Sequence, residues 1–594
     1  MIRRRGVSLD PTVQRGPTAL RGRRGRRPSG FAIVSGVLAV AFAVLAIYPL
    51  SAVAVRAFFP GGQLNATVWE EVFAEPDLGQ VLLNTLLVIV GSGGVAIVVG
   101  SVLAWINERT DAKLGLFSDA LPMLPFLLPP IAGAIGWVLL LSPNAGLLNA
   151  MIRTAASWIG IDISSGPLDI YTWYGLLLVY GIYQVPLVFM MVSAGLRNLD
   201  ASLEEQSRVC GTGPFKALFK VTLPALWPSI AGAGLLTTWT ALGLYSVPAV
   251  IGTGARIDVL TTRIVNGLAF SYPPKYDVAI GLSVFMLGFV AIIWWIQTRV
   301  LRRNQHAAMG GKGQRATAVR LGRWRRPVQV GVVLYAVVTT VLPMCALIIV
   351  SLNGYWTSNI DWGGLSLDAL RLAVFENVRT RTALENSLLL GVVGATVGIL
   401  LAAVISLYIS RARPRVGRAV DGAVKLPSTL ANVVIAVGFV LAFAGPPIDL
   451  GGTILILFLA YLALYLPNGI VATDSAVAQI GRELPEASAL SGAGELRTFL
   501  RIYLPLMLPG MIVGWALLFV RMVGDLTASA ILAGTTNPVV GRQILETYQN
   551  GSFSLLAALA TVLTVISTVV VVGVMVLSRS SSRWGKTARR VNTR

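Results

Sequence analysis

Runs of about 20 or more apolar residues recur along the chain, separated by short polar stretches. Each run is long enough for a helix to cross the ~30 Å hydrocarbon core of a bilayer. A membrane β-barrel would instead show shorter, alternating segments. Six apolar segments, at about 31–58, 81–106, 120–142, 171–195, 222–250 and 278–299, precede a basic central stretch. Six more follow it, at about 328–352, 385–410, 424–444, 452–472, 503–534 and 553–577. The pattern predicts an all-α membrane protein with about 12 transmembrane helices. The first run is longer than the apolar region of a cleaved signal and reads as a retained span, with cleavage as the alternative.

The polar interruptions repeat in step. "SLEEQSRVCGTGPFKALFKVTLPALWPS", Ser202 to Ser229, is answered 281 residues later by "ELPEASALSGAGELRTFLRIYLPLMLPG", Glu483 to Gly510. Glu205 falls on Glu486, Gly211 on Gly492, Leu223-Pro224 on Leu504-Pro505 and Pro228 on Pro509. Pro186 answers Pro467 at the same offset, "LLNTLL" at 82–87 answers "LENSLL" at 384–389, and Leu121-Pro122 answers Leu426-Pro427. Matches in one order point to a duplicated six-span module. Because six is even, both copies enter the membrane the same way up, unlike the inverted repeats of many ion-coupled carriers. Each polar string suits a short helix lying along the membrane, over Leu203–Cys210 and Leu484–Ser491. Pro485 sits in the first turn, where its missing N–H costs nothing. Gly211 and Gly492 supply the turn, and Leu-Pro marks re-entry into the bilayer.

Composition sharpens the picture. Charged residues make up 13% of the 594 and mean hydropathy is +0.73, where a soluble protein would carry about a quarter charged residues. The net charge of +21 sits beside the apolar runs, where Lys and Arg set orientation and touch anionic lipid. With no soluble domain to bind it, nucleic acid is excluded as a partner. The Arg-rich N-terminus, the central basic stretch, "RARPRVGR" (Arg411 to Arg418) and the C-terminal tail all fall inside if both termini are cytoplasmic. The first outer loop, 59–80, carries four acids and no basic residue. The loop 354–383, with Arg371, Arg379 and Arg381, fits this sidedness worst. Cys210 lies in a polar loop and Cys345 in an apolar run, which argues against a disulfide. His306 stands among basic residues, and no cluster has metal-ligand spacing. The sole Gly-Lys-Thr, Gly585 to Thr587, has Ser580 where a phosphate-binding loop needs glycine and no strand before it. The chain is not expected to be an enzyme.

The duplicated string resembles the EAA loop of the membrane subunit of binding-protein-dependent ABC importers: Glu-Ala-Ala, three residues, Gly, nine residues, Ile-x-Leu-Pro. The second copy follows it with Glu486-Ala487-Ser488, Gly492 and Ile502-Tyr503-Leu504-Pro505. The first departs further, with Glu205-Gln206-Ser207, Gly211 and Val221-Thr222-Leu223-Pro224. The resemblance implies two parallel six-span modules of the type I ABC importer (MetI-like) fold, in the bacterial cytoplasmic membrane. The expected layout is a disordered basic cytoplasmic N-terminus at 1–30, a first module at 31–300, a basic cytoplasmic linker at 301–327, a second module at 328–578 and a basic cytoplasmic tail at 579–594. Each loop (202–229 and 483–510) is implied to dock one of two copies of an ABC ATPase. That partner would hold ATP and magnesium, and this chain would bind no cofactor of its own. The outer loops, about 7 to 30 residues long, are too short for a binding domain, so an extracytoplasmic substrate-binding protein is the expected second partner.

The fused arrangement, with "YSVPAVIGTG" (Tyr245 to Gly254) and "GDLTASAILAGTTNP" (Gly524 to Pro538), most resembles ferric-iron permeases. Thiamine, polyamine and phosphonate permeases are close relatives. An ion-coupled secondary transporter is the alternative of another class, and a membrane scaffold or sensor a third. Intramembrane polar groups are candidates for the pathway. Arg521 and Asp525 lie four apart and are placed to neutralise each other, with Thr240 and Leu244 at the equivalent first-half positions. Asn84 and Asn386 occupy equivalent starts of the second spans, with capping or interhelical hydrogen bonding as the alternative. Tyr245 and Tyr183 are weaker candidates, since an aromatic in a span usually packs.

Overall fold

The computed structural model describes residues 30–303, 319–481 and 483–591. The expected N-terminal tail before residue 30 and the linker core 304–318, with His306, lie outside the described residues. Among the described residues the chain is helical, in two modules. Nine helices are long and apolar enough to cross a membrane, and three sharply bent helix pairs bring the number to twelve.

In the first module the spans are Gly30–Phe58, Leu78–Arg109, the pair Leu121–Leu127 and Pro130–Leu141, the pair Trp173–Ile182 and Val185–Asn198, Leu218–Gly243 and Tyr276–Arg299. In the second they are Gly322–Leu352, Val378–Arg411, the pair Pro414–Thr429 and Asn432–Phe443, Ile454–Ala478, Glu495–Val523 and Phe553–Val574. Both third spans bend, by 99° and 104°, so neither is the straight crossing that its hydrophobicity suggests. Both fifth spans stop early, at Gly243 and Val523, short of the predicted 250 and 534. Apolarity continues past these points, but the helix does not: short helices resume beyond a break at Leu244 and at Gly524. The last helix runs to Val591, through the expected tail and the Gly-Lys-Thr triplet.

The modules hold each other by their first spans. Gly30–Phe58 packs on Asn432–Phe443 of the second module, and Leu342–Leu352 packs on Pro130–Leu141 of the first. Glycine makes both approaches possible. A Cβ at Gly136 would stand 2.7 Å from the Pro343 carbonyl oxygen, and one at Gly438 would stand 2.6 Å from that of Pro49. The two contacts are counterparts, since each joins the bent third span of one module to a proline of the other's first span. Tyr48 also packs edge-on against Phe443 at 5.7 Å, and Tyr548 donates to the Val250 carbonyl at 3.0 Å across the modules.

Polar residues inside the bundle are spent on repeating joints. Asn84 Nδ2 donates to the Asp258 carbonyl at 3.0 Å, and Asn386 Nδ2 to the Pro538 carbonyl at 2.9 Å. Next to them, Thr85 Oγ1 accepts from Leu260 N and Ser387 Oγ from Val540 N, both at 2.9 Å. Each Asn-Thr/Ser pair thus ties the start of a second span to the N-terminus of a short helix, Leu260–Val265 or Val540–Gln549. Those N–H groups have no partner within their own helix and would otherwise be left unpaired.

Candidate functional site: two polar loops and a buried carboxylate

Both repeated strings fold alike. The first forms a helix over Ala201–Val209, a turn, and Pro214–Ala217. The second forms Glu483–Leu490, a turn, and Glu495–Thr498. Gly211 has φ +78° and Gly492 φ +77°, the left-handed region that glycine enters without strain. Thr212 N reaches back to the Ser207 carbonyl and Ala493 N to that of Ser488, both at 3.1 Å. This six-to-one bond closes the helix ends as a Schellman cap. A π-helical turn follows in each, Leu218–Thr222 and Phe499–Tyr503. Leu223-Pro224 and Leu504-Pro505 then begin the α-helical part of the fifth spans, where a proline N–H is not needed.

What the loops present is alike as well. Gln206, Glu486 and Ala487 are exposed, and Ser207 and Ser488 are half-buried. The side chain of Glu205 lies outside the described ones. Leu223 and Leu504 are half-buried, with Pro224 and Pro505 exposed. Each loop also carries two bare apolar side chains at matching places. Leu203 answers Leu484, and Val209, 88% exposed, answers Leu490, 90% exposed. The motif reading passed over these four. Their signal was available, as apolar residues in a polar helix repeated at the 281-residue offset.

Each loop lies against the basic end of a span, the first at Arg109 and the second at Arg411. Phe31, at the start of the first span, packs on Phe499 at 5.3 Å. Arg109, the last residue of the second span, is buried. Its Nε donates to Glu204 Oε1 at 3.0 Å and its Nη2 to the Leu196 carbonyl at 2.9 Å. Thr222 Oγ1 donates to the same carboxylate oxygen at 3.0 Å. The charges suit their positions, with arginine at a helix C-terminal carbonyl and glutamate in the first turn of the next helix. Among site residues, sequence reasoning passed over Arg109, and over Glu204 for its neighbour Glu205.

Within the bundle, Asp525 is 4% exposed and is not paired with Arg521. Its Oδ1 accepts from the Tyr465 hydroxyl. Its Oδ2 accepts from Ser529 N at 2.9 Å and Ser529 Oγ at 3.1 Å. Tyr461 and Ser529 share a further hydrogen bond of 2.7 Å. The expected Arg521–Asp525 neutralisation therefore gives way to a cap. The helix breaks at Gly524 and restarts at Thr527, and the carboxylate serves the new N-terminus, whose dipole favours an anion. Arg521 is half-buried, Tyr183 is 7% exposed and Tyr245 is 1% exposed. Asn84 and Asn386 sit in the joints described above. Among the described residues no group of three or more His, Cys, Asp or Glu side chains is placed to hold a metal ion.

A model of the family described as "Binding-protein-dependent transport system inner membrane component" matches the chain twice, over residues 96–306 and 394–584. The chain is 22% identical to the ferric transport system permease protein FbpB of Actinobacillus pleuropneumoniae, over 90% of this chain and 76% of that protein. It is 23% identical to the Fe(3+)-transport system permease protein FbpB 2 of Haemophilus influenzae, over 79% and 84%. A bacterial ABC transporter involved in the import of the acidic polysaccharide alginate superposes with a TM-score of 0.36 at 17% identity, covering 43% of this chain and 94% of that one.

Proposed function

The chain belongs to the family of binding-protein-dependent transport system inner membrane components, the permeases of ABC importers, and from that premise we propose that its two polar loops are the couplings through which a separate ATPase drives transport. One observation carries this reading. Two loops share the same backbone geometry, each offering a pair of exposed apolar side chains beside polar ones. Exposed apolar side chains on an otherwise polar helix suit a protein partner. Two ATPase subunits, one per loop, would bind ATP and magnesium. Their closure on ATP would draw Glu205–Ser207 and Glu486–Ser488 together and swing the spans between inward- and outward-open states.

The exchanged first spans support a rocking motion of whole modules, since each carries a piece of the other. The proposed orientation places the loops and both termini in the cytoplasm, following the arginines at that end. A substrate-binding protein would deliver cargo to the opposite face. Ferric iron is the proposed cargo, supported by the names of the two permeases matched over most of the chain; thiamine, a polyamine or a phosphonate are the alternatives. Asn84, Asn386, Tyr245, Arg521 and Asp525 remain proposed pathway groups.

The test is reconstitution of the chain with its ATPase and binding protein in vesicles. Uptake should require ATP and the binding protein. Glu486→Ala and Gly492→Val should each abolish it while leaving the permease inserted, the second because a β-branched residue at φ +77° strains the turn by about 1–3 kcal/mol. Normal uptake in both variants, or uptake driven by an ion gradient alone, would overturn the reading.

A further inference from the structure

The two loops present the same surface but are not held in the same way. We infer that Arg109 is the positioning residue of the first coupling loop, and that the second loop is held by an unlike anchor; the inference rests on the coupling role proposed above.

The repeat defines which residues to compare. Along the second span, and again in the helices Pro130–Leu141 and Asn432–Phe443, the modules are offset by 302 residues, as Asn84 and Asn386 or Gly136 and Gly438 show, and within the loops by 281. Arg109 is therefore the counterpart of Arg411, Glu204 of Pro485 and Thr222 of Tyr503. In the first module the guanidinium, the carboxylate and the threonine hydroxyl form one buried knot, both charged side chains 6% exposed. It joins the end of the second span, the end of the fourth through the Leu196 carbonyl, the coupling helix and the base of the fifth span.

In the second module that knot cannot form. Pro485 supplies no carboxylate, and Arg411 stacks instead on the Tyr503 ring, 5.0 Å from its centroid. The second loop is tied within itself. Ser488 and Thr498 share a hydrogen bond of 2.9 Å between its two helices, whereas the first-loop counterparts are Ser207 and the apolar Ala217. The first loop is thus fastened to its module by a buried ion pair. The second is internally braced and rests on its module through the buried rings of Phe499 and Tyr503 and a cation–π contact from an exposed arginine, with no ion pair in place of the first loop's knot.

Arg109 also carries the chain that connects the modules. Val319 N donates to the Arg109 carbonyl at 2.8 Å, and Asp111 N to the Val319 carbonyl at 3.1 Å. Leu321 N is held by Asp111 Oδ1 at 3.0 Å. The residue that fixes the first loop is stitched to the start of the second module, so a displacement of that loop acts on both. No comparable stitch is present at Arg411 among the described residues.

The native Cys210, exposed at the end of the first coupling helix, and Ser491→Cys at its counterpart report the two loops separately. In a Cys345→Ser background, maleimide labelling of each is followed in the complex with and without the ATPase. In the parent, the ATPase should protect both positions. Arg109→Gln should lower protection of Cys210 by roughly threefold or more and leave the Ser491→Cys probe protected, which also shows that the variant is folded and assembled. Arg109→Lys should restore part of the loss. The double variant Arg109→Gln/Glu204→Gln should lose no more than Glu204→Gln alone, because removing both charges leaves neither buried without a partner. The ratio of substrate taken up to ATP hydrolysed should fall with Cys210 protection. If Arg109→Gln changes neither probe, or both alike, this inference falls and the coupling role stands. If the ATPase protects neither position in the parent, the coupling role falls and takes the inference with it.

Discussion

At the scale of single residues, the molecule places charge where helix ends can receive it. Asp525 lies between two helices and accepts from Ser529 N in the first turn of the second, and Glu204 sits in the first turn of the helix in the first polar loop. Asp525 is satisfied without the neighbouring cation that spacing alone suggests, whereas Glu204 is held by Arg109. Tyr465→Phe should remove a hydrogen bond to a buried carboxylate, costing about 1.5–3 kcal/mol. It should lower the thermal midpoint of the purified protein, and an unchanged midpoint would show that the hydroxyl is not needed there. The Asn84 and Asn386 pairing was visible as a repeat in the sequence. Their partners were not, because Asp258 and Pro538 offer backbone carbonyls about 150 or more residues away, and a backbone carbonyl leaves no side-chain signature.

At the scale of elements, the loops were legible nearly residue by residue. The pattern predicted a helix over Leu203–Cys210, and Ala201–Val209 is helical; it predicted Leu484–Ser491, and Glu483–Leu490 is helical. Motif spacing carries such information because glycine and proline fix the local backbone. The bends in the third spans and the early ends of the fifth were not legible. Apolar composition says that a segment is buried in lipid or protein but not that it stays straight. The Gly–Pro contacts that seat the bent spans join residues far apart in sequence. Gly136→Val and Gly438→Val should each force Pro343 or Pro49 away and cost about 1–3 kcal/mol or more. Thermal midpoints of the two variants should fall together, and a fall at one site alone would deny the paired interface.

At the scale of the whole molecule, duplication gives two equal surfaces and drift gives them unequal anchors. The loop that fitted the sidedness worst illustrates why charge counting falters locally. Arg371 pairs with Glu376, Arg379 with Glu546 and Arg381 with Glu385, so these arginines serve local ion pairs in the loop. The arginines after the second span of the second module differ, for Arg411, Arg413, Arg415 and Arg418 all lie exposed. Substrate identity is the part that neither fold nor pattern encodes, since function lives in sites that a shared fold can vary.

The account depends on both loops facing the compartment that holds the ATPase. Labelling of Cys210 and Ser491→Cys with a membrane-impermeant maleimide, in sealed vesicles of each orientation, measures this directly. Both positions should react in inside-out vesicles and stay silent in right-side-out ones. Reaction of either from the outer face would contradict the account.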